Sequence, residues 1–359
     1  MSDKLQAFTG VWGRSPPYLE RAGGLGGEKC LYQICSIIIK SGFYMPNKPE
    51  QNKAIILLGP TGSGKSEAAV LLALELGTEI ISADSMQLYR LMDIGTGKPA
   101  KSGLARVPHH LIDGIWPHQE WSAGSFAREA ALIMERLASQ GKIPLVVGGT
   151  GLYIKTLTRG LAHAPQADEN LRASLRNGNE DIYGLLKSLD PETARLLAPA
   201  DTRRIIRALE VRLKTKRPIS EVKTLTAPLP YDFIKLGLTR TREELYRLID
   251  ERVDRMLAEG LVEEVEKVLS QPRPPSKTAM QAIGYKEMEG FIKGMCAYEE
   301  AVRLIKRNTR RYAKRQFTWF KKEEGTLWVD VTGLMAPEAI YGKLKEALQK
   351  FHPEILPGL

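Results

Sequence analysis

Three short apolar runs, AIILLG (54–59), TEIISAD (78–84) and IPLVVGG (143–149), each end in Gly or Asp. They are apolar at successive rather than alternate positions, as strands covered on both faces of a parallel sheet must be. Between them, SEAAVLLALEL (66–76) and SFAREAALIMERLASQG (125–141) carry the helical period, and Gly141 stands where a C-cap glycine belongs. Strand alternating with helix predicts an α/β fold, a doubly wound parallel sheet.

The pattern changes twice along the chain. Residues 53–161 read as the first part of the core. From 162 to 230 the strand-like runs stop, and ENLRASLRN, YGLLKSLD and DTRRIIRALEVRLKTKR, bounded by prolines, predict a helical insertion. A strand, FIKLGLT (233–239), then opens a second core part, 231–345, with C-terminal helices over 242–260 and 298–322 and a last strand, LWVDVT (327–332). Residues 346–359 read as a tail. Residues 1–52 show no sustained period and hold GGLGGE and SPP, so they are expected to be disordered, or non-native with translation beginning at Met45.

Charge and cysteine content narrow the setting. The 359 residues carry a net charge of +10 and a pI near 9.3, a weak pointer to nucleic acid. Three cysteines, Cys30, Cys35 and Cys296, make neither a disulfide framework nor a four-ligand zinc site. No apolar run reaches the roughly 18 residues of a membrane span. A reducing, cytoplasmic setting and a monomer with no membrane partner are expected.

The first chemistry is a phosphate loop. Gly59, Pro60, Thr61, Gly62, Ser63, Gly64, Lys65 and Ser66 fit G-x-x-x-x-G-K-[ST] between a strand and a helix. Its N–H groups make an anion nest at a helix N-terminus, Lys65 adds a point charge, and the Ser66 hydroxyl suits Mg²⁺. The loop alone says diphosphate or triphosphate, with ATP the usual occupant and a kinase the leading guess. Asp84 could hold magnesium in such an enzyme.

Further stretches displace that guess. ADSMQLYRLMDIGTGKP (83–99), VPHHLID (107–113), VVGGTGLYIKTL (146–157), RRIIRALEV (203–211), AIGYKEM (282–288) and KRQFTWF (314–320) fall in order behind the loop. From about 53 to 330 the chain resembles the bacterial tRNA dimethylallyltransferases, the tRNA isopentenyltransferases, whose fold is P-loop NTPase-like. The resemblance implies that the loop binds the diphosphate of dimethylallyl diphosphate rather than ATP. It also implies transfer of the prenyl group to N6 of the adenosine at tRNA position 37, beside the anticodon, with Mg²⁺ as cofactor.

Roles follow from the same resemblance. Asp84 matches the general base, Thr61 and Lys65 the groups that stabilise the leaving diphosphate, and Ser66 the Mg²⁺ ligand. Arg242, in TRTREEL, matches a second diphosphate clamp, with Arg240 as its competitor. The anticodon stem-loop falls to Asp84, Ser85, Met86, Gln87 and Thr150 around a flipped adenosine. Arg203, Arg204, Ile205, Ile206 and Arg207 match a contact in the insertion; Gln281, Ala282, Ile283, Gly284, Tyr285 and Lys286 match another. The last is Lys314, Arg315, Gln316, Phe317, Thr318, Trp319 and Phe320.

The stretch 306–322 holds eight Lys/Arg, no acid and interleaved aromatics. On a helix, Arg303, Arg307, Arg310 or Arg311, and Lys314 form one stripe suited to a phosphate backbone. His109 and His110, with no Cys or His cluster beside them, read as a structural or substrate-loop element. Two other activities stay open at this point: prenylation of a free adenine nucleotide, which needs no extended basic surface, and a P-loop kinase.

Overall fold

The computed structural model describes residues 52–160, 164–165, 167–178, 181–223 and 228–356. The expectations for residues 1–51, including Cys30, Cys35 and Met45, lie outside them. Strand β1 (Asn52–Leu58) shows why its sequence is apolar throughout. Ile55 and Leu57 face one cluster, against helix α1 (Lys65–Glu75). Ala54, Ile56 and Leu58 face the opposite one, against Phe126 and Ala130 of α3 (Ala123–Ser139) and Ile154 of α4 (Gly151–Arg159). All five are fully enclosed, and cutting one leucine to alanine there costs about 2–5 kcal/mol.

The sheet is six-stranded and entirely parallel, in the order β3-β2-β4-β1-β5-β6. The remaining strands are β2 (Ile80–Ser82), β3 (His109–His110), β4 (Leu145–Gly148), β5 (Tyr231–Thr239) and β6 (Thr326–Asp330). Ile55 stands opposite both Leu145 and Ile234, which makes β1 central. The short helix α2 (Lys101–Arg106) leads into β3, a two-residue strand in PHHLID that hydrophobic pattern alone did not suggest. There His110 and Arg136 both reach Glu79 of the neighbouring segment. Burial pushes the Glu79 carboxyl up, but hydrogen bonds from Lys142, Arg136 and His110 outweigh it and hold the pKa at about 2. The histidine pair is thus part of an edge ion network.

Among the described residues five helices separate α4 from β5: α5 (Glu169–Asn177), α6 (Ile182–Leu189), α7 (Pro191–Leu196), α8 (Thr202–Thr215) and α9 (Ile219–Lys223). They share their own core of Leu186, Ala194, Ile205, Ala208 and Leu209. Glu210, fully buried on α8, ties it to α5 by accepting from Arg172 and the Asp168 N–H.

The last third of the chain forms a helical layer. It comprises α10 (Arg242–Ala258), α11 (Leu261–Leu269), α12 (Tyr285–Ile292) and α13 (Tyr298–Phe320). Val253, Leu261, Tyr285 and Ile305 pack there against Tyr89 and Met92 from the segment after β2. After β6, α14 (Pro337–Phe351) runs through the boundary placed at 345/346. Leu348, Ile355 and Leu356 are buried in the cluster under α1, so this end is core packing rather than a tail. Among the described residues no helix is long and apolar enough to cross a membrane.

Candidate active site

Three strand ends meet at one place. The phosphate loop follows β1, Asp84 follows β2, and Gly149 and Thr150 follow β4, so the site lies off the carboxyl edge of a parallel sheet. The helical layer covers it and leaves a cavity of about 290 Å³. Thr61, Lys65, Ser66, Asp84, Arg252 and Tyr312 are among its lining residues.

The loop is built as an anion nest. Gly64 sits at φ 90° as the N-cap of α1, a left-handed conformation that a side chain would strain. That turn aims the first N–H groups of the helix at the cavity. Lys65 Nζ donates to the Pro60 carbonyl at 3.1 Å. Burial lowers its pKa to about 8; Asp84 works against that shift and Arg252 adds to it. Arg252 is likewise pushed down, chiefly by burial, with Asp84 opposing. Its Nη2 reaches the Gly97 carbonyl at 3.4 Å. Two desolvated cations therefore face a single carboxylate, a charge balance that favours an incoming anion.

Asp84 is held by its own loop. Its Oδ1 accepts the Met86 N–H at 2.9 Å, and the Thr150 hydroxyl accepts the Ser85 N–H at 3.1 Å. The Gln87 amide accepts from Ser82 and donates to the Gly97 carbonyl, which fixes the loop 95–97 that forms another wall. Asp84, Ser85, Met86 and Gln87 thus converge with Thr61, Lys65 and Ser66. Gln281, Ala282, Ile283, Gly284 and Arg315 line the same cavity from the helical layer.

Arg242 is placed elsewhere. It is the first residue of α10, exposed, with its guanidinium 5.1 Å from the centre of the Tyr246 ring. It lines a separate cavity of about 320 Å³ with Pro60, Leu245, Tyr246, Lys314 and Phe317. Arg240 is committed as well: it pairs with Glu244 and donates to the carbonyls of Val331, Leu334 and Ser63, bracing the loop from behind. The α10 arginine that reaches Asp84's cavity is Arg252. Leu245, Ile249, Arg252, Val253 and Met256 fall at i, i+4, i+7, i+8 and i+11, so Arg252 lies within the apolar stripe of α10. A cation in that stripe was the available pointer.

The residues matched to tRNA contacts divide by exposure. Arg203, Arg204, Gln281, Lys286, Lys314, Arg315, Thr318 and Trp319 are exposed. Ile205 and Ile206 are core residues of the inserted helices, and Arg207 is engaged by Glu210 and the Pro165 carbonyl. Tyr285 is fully buried and donates to Glu264, and Phe320 is fully buried under β1. Gln316 is 5% exposed. These six are enclosed or engaged within the protein. The basic stripe is also shortened, because Arg303 pairs with Glu300 and Arg310 with Asp250 on α10. Arg311, Lys314 and Arg315 stay exposed near the cavity's end of the helix. Among the described residues no cluster of three or more His, Cys, Asp or Glu could hold a metal.

Comparisons with known proteins place the chain in a family. The family model described as IPP transferase matches residues 87–323, and one described as isopentenyl transferase matches residues 52–115. A curated tRNA dimethylallyltransferase of Thermodesulfovibrio yellowstonii is 48% identical over 84% of this chain and 100% of its own. Another from Geobacter sulfurreducens is 49% identical over 78% and 92%. The solved full-length tRNA isopentenylpyrophosphate transferase of Bacillus halodurans aligns with a TM-score of 0.61 at 37% identity, covering 84% of this chain and 99% of that one. A eukaryotic dimethylallyltransferase solved acting on tRNA aligns with a TM-score of 0.69 at 31% identity, over 79% and 75%. The chain belongs to the IPP transferase family.

Proposed function

We propose that this protein transfers a dimethylallyl group from dimethylallyl diphosphate to N6 of the adenosine at position 37 of tRNA, releasing diphosphate. The observation that carries the reading is the single cavity in which Lys65 and Arg252 face Asp84 at the strand ends. A monomer in the cytoplasm is the setting proposed for it.

The chemistry asks for three things, and each has a candidate. As N6 attacks C1 of the donor, the C1–O bond breaks and negative charge builds on the bridging oxygen. Lys65, Arg252, Thr61 and the N–H groups at the start of α1 face that charge. Asp84 takes the proton that N6 sheds as the C–N bond forms. Val253, Met256, Leu261 and Ile305 supply apolar wall for the five-carbon tail.

Ser66, in the first turn of α1 and on the cavity wall, offers a hard oxygen ligand, which fits Mg²⁺ completed by donor oxygens and water. When bound, the ion would neutralise part of the diphosphate charge. The acceptor base has to leave its stack to enter an enclosed pocket. Exposed Arg311, Lys314 and Arg315 on α13, and exposed Gln281 and Lys286, suit the flanking phosphates.

The test is unmodified anticodon stem-loop RNA with dimethylallyl diphosphate and Mg²⁺, digested to nucleosides and read by mass spectrometry. N6-dimethylallyl adenosine from the protein supports the reading. Product on free AMP but none on RNA would move the acceptor to a nucleotide. ATP turnover lost on Lys65→Ala, without prenylation, would replace the reaction class.

A further inference from the structure

Gln316 falls in the motif matched to RNA contacts, yet its side chain points into the protein. Its Oε1 accepts the Thr61 N–H of the phosphate loop at 2.9 Å, and its Nε2 donates to the Gly149 carbonyl after β4 at 2.9 Å. Both partners are backbone groups of fixed polarity, so the orientation of the amide is dictated. The packing leaves no slack: a Cβ on Gly149 would lie 2.2 Å from Nε2. Next to Gly149, Thr150 holds the loop of Asp84: its N–H donates to the Ala83 carbonyl at 3.1 Å and its hydroxyl accepts the Ser85 N–H.

We infer that Gln316 is a positioning residue that sets the spacing between the diphosphate loop and the loop carrying Asp84. This rests on the prenyl-transfer reading of the same cavity. One amide links the donor half, the acceptor half and the helix that carries the exposed cations. No other residue type of this length presents an acceptor and a donor in that order without first taking up a proton. Methionine keeps the volume and loses both bonds. Ionised glutamate keeps the acceptor but sets an oxygen against the Gly149 carbonyl. Protonated glutamate restores the pair, with its O–H donating to Gly149 and its carbonyl accepting from Thr61.

The experiment compares wild type, Gln316→Met and Gln316→Glu for kcat, donor KM, RNA affinity and melting temperature. Misplacing reacting groups by about 1 Å costs on the order of a hundredfold in rate. Gln316→Met is therefore expected to lose roughly ten- to hundredfold in kcat while RNA affinity stays within about twofold. Gln316→Glu is expected to approach wild-type kcat as pH falls and to diverge from it as pH rises. That relative pH step survives even if the methionine variant folds poorly. Unchanged kcat in Gln316→Met, weakened RNA affinity at unchanged kcat, or a Gln316→Glu profile parallel to wild type would each overturn the assignment. An inactive wild-type protein would count against the reaction itself; an active wild type with an indifferent position 316 counts against this inference alone.

Discussion

Two cavities flank the stretch 313–318 of α13, and they use their arginines differently. In the one lined by Gln316 and Arg315, Arg252 is desolvated and faces Lys65 and Asp84. In the other, lined by Lys314 and Phe317, Arg242 is exposed and lies against the Tyr246 ring, while Arg240 is satisfied by Glu244 and three carbonyls. Desolvation separates them. An exposed cation gains little from an anion that water and salt already screen, whereas an enclosed pair of cations gains much. The difference supports Arg252's cavity as the place proposed for the diphosphate, with Arg242 lining the other one.

The largest expected effect is at Asp84. Asp84→Asn keeps the shape and removes the proton acceptor, so kcat should fall about 10²–10⁴-fold with RNA affinity little changed. Single-turnover assays at saturating RNA would show it, and an unimpaired Asp84→Asn would remove the base from the mechanism.

Glu264 comes next. Its carboxylate accepts the N–H groups of Asp93, Ile94 and Gly95 and the Tyr285 hydroxyl, holding the loop that becomes the cavity wall at 95–97. Glu264→Gln turns an amide NH₂ toward donors. It should cost about 1–3 kcal/mol in urea unfolding and raise the donor KM. Unaltered stability would mean that the wall stands without this clasp.

A smaller effect follows from Lys65. Its pKa of about 8 means that its charge is lost as pH rises through that value. Diphosphate prefers the protonated lysine, so binding takes up a proton above pH 8. Donor affinity should weaken there by up to about tenfold per pH unit and level off below it. In folding the sign is opposite: a lysine depressed in the native state adds stability as pH climbs from about 8 toward its ordinary range. Donor titrations at pH 7, 8 and 9 in two buffers of different ionisation heat would detect the proton. The smallest shift belongs to Lys314→Ala, which should lower the salt slope of RNA binding by about one contact and leave donor KM alone.

Local chemistry is legible in this sequence where one element carries it. β1, the phosphate loop and α1 are contiguous, so glycines and apolar runs announce the anion nest; Asp84 stands at the end of a readable strand. What was not legible depends on which face of a helix turns inward. Arg242 and Arg252 share α10, and only packing against Val253 and Met256's neighbours on the other helices shows which one enters the cavity. In the same way KRQFTWF reads as a basic, RNA-facing run. Yet Gln316 and Phe320 turn toward the sheet while Lys314, Arg315 and Thr318 turn out. Glu264 is 169 residues from Gly95, and no local pattern connects them.

The measurement that bears most directly on this account titrates dimethylallyl diphosphate, with Mg²⁺ and without RNA, into wild type, Arg252→Met and Arg242→Met. Methionine keeps most of the arginine stem's packing in both places. The account predicts that Arg252→Met weakens donor binding by about tenfold or more and that Arg242→Met stays within about twofold of wild type. Weakened binding in Arg242→Met alone would contradict it, and would move the donor's diphosphate to the other side of the phosphate loop.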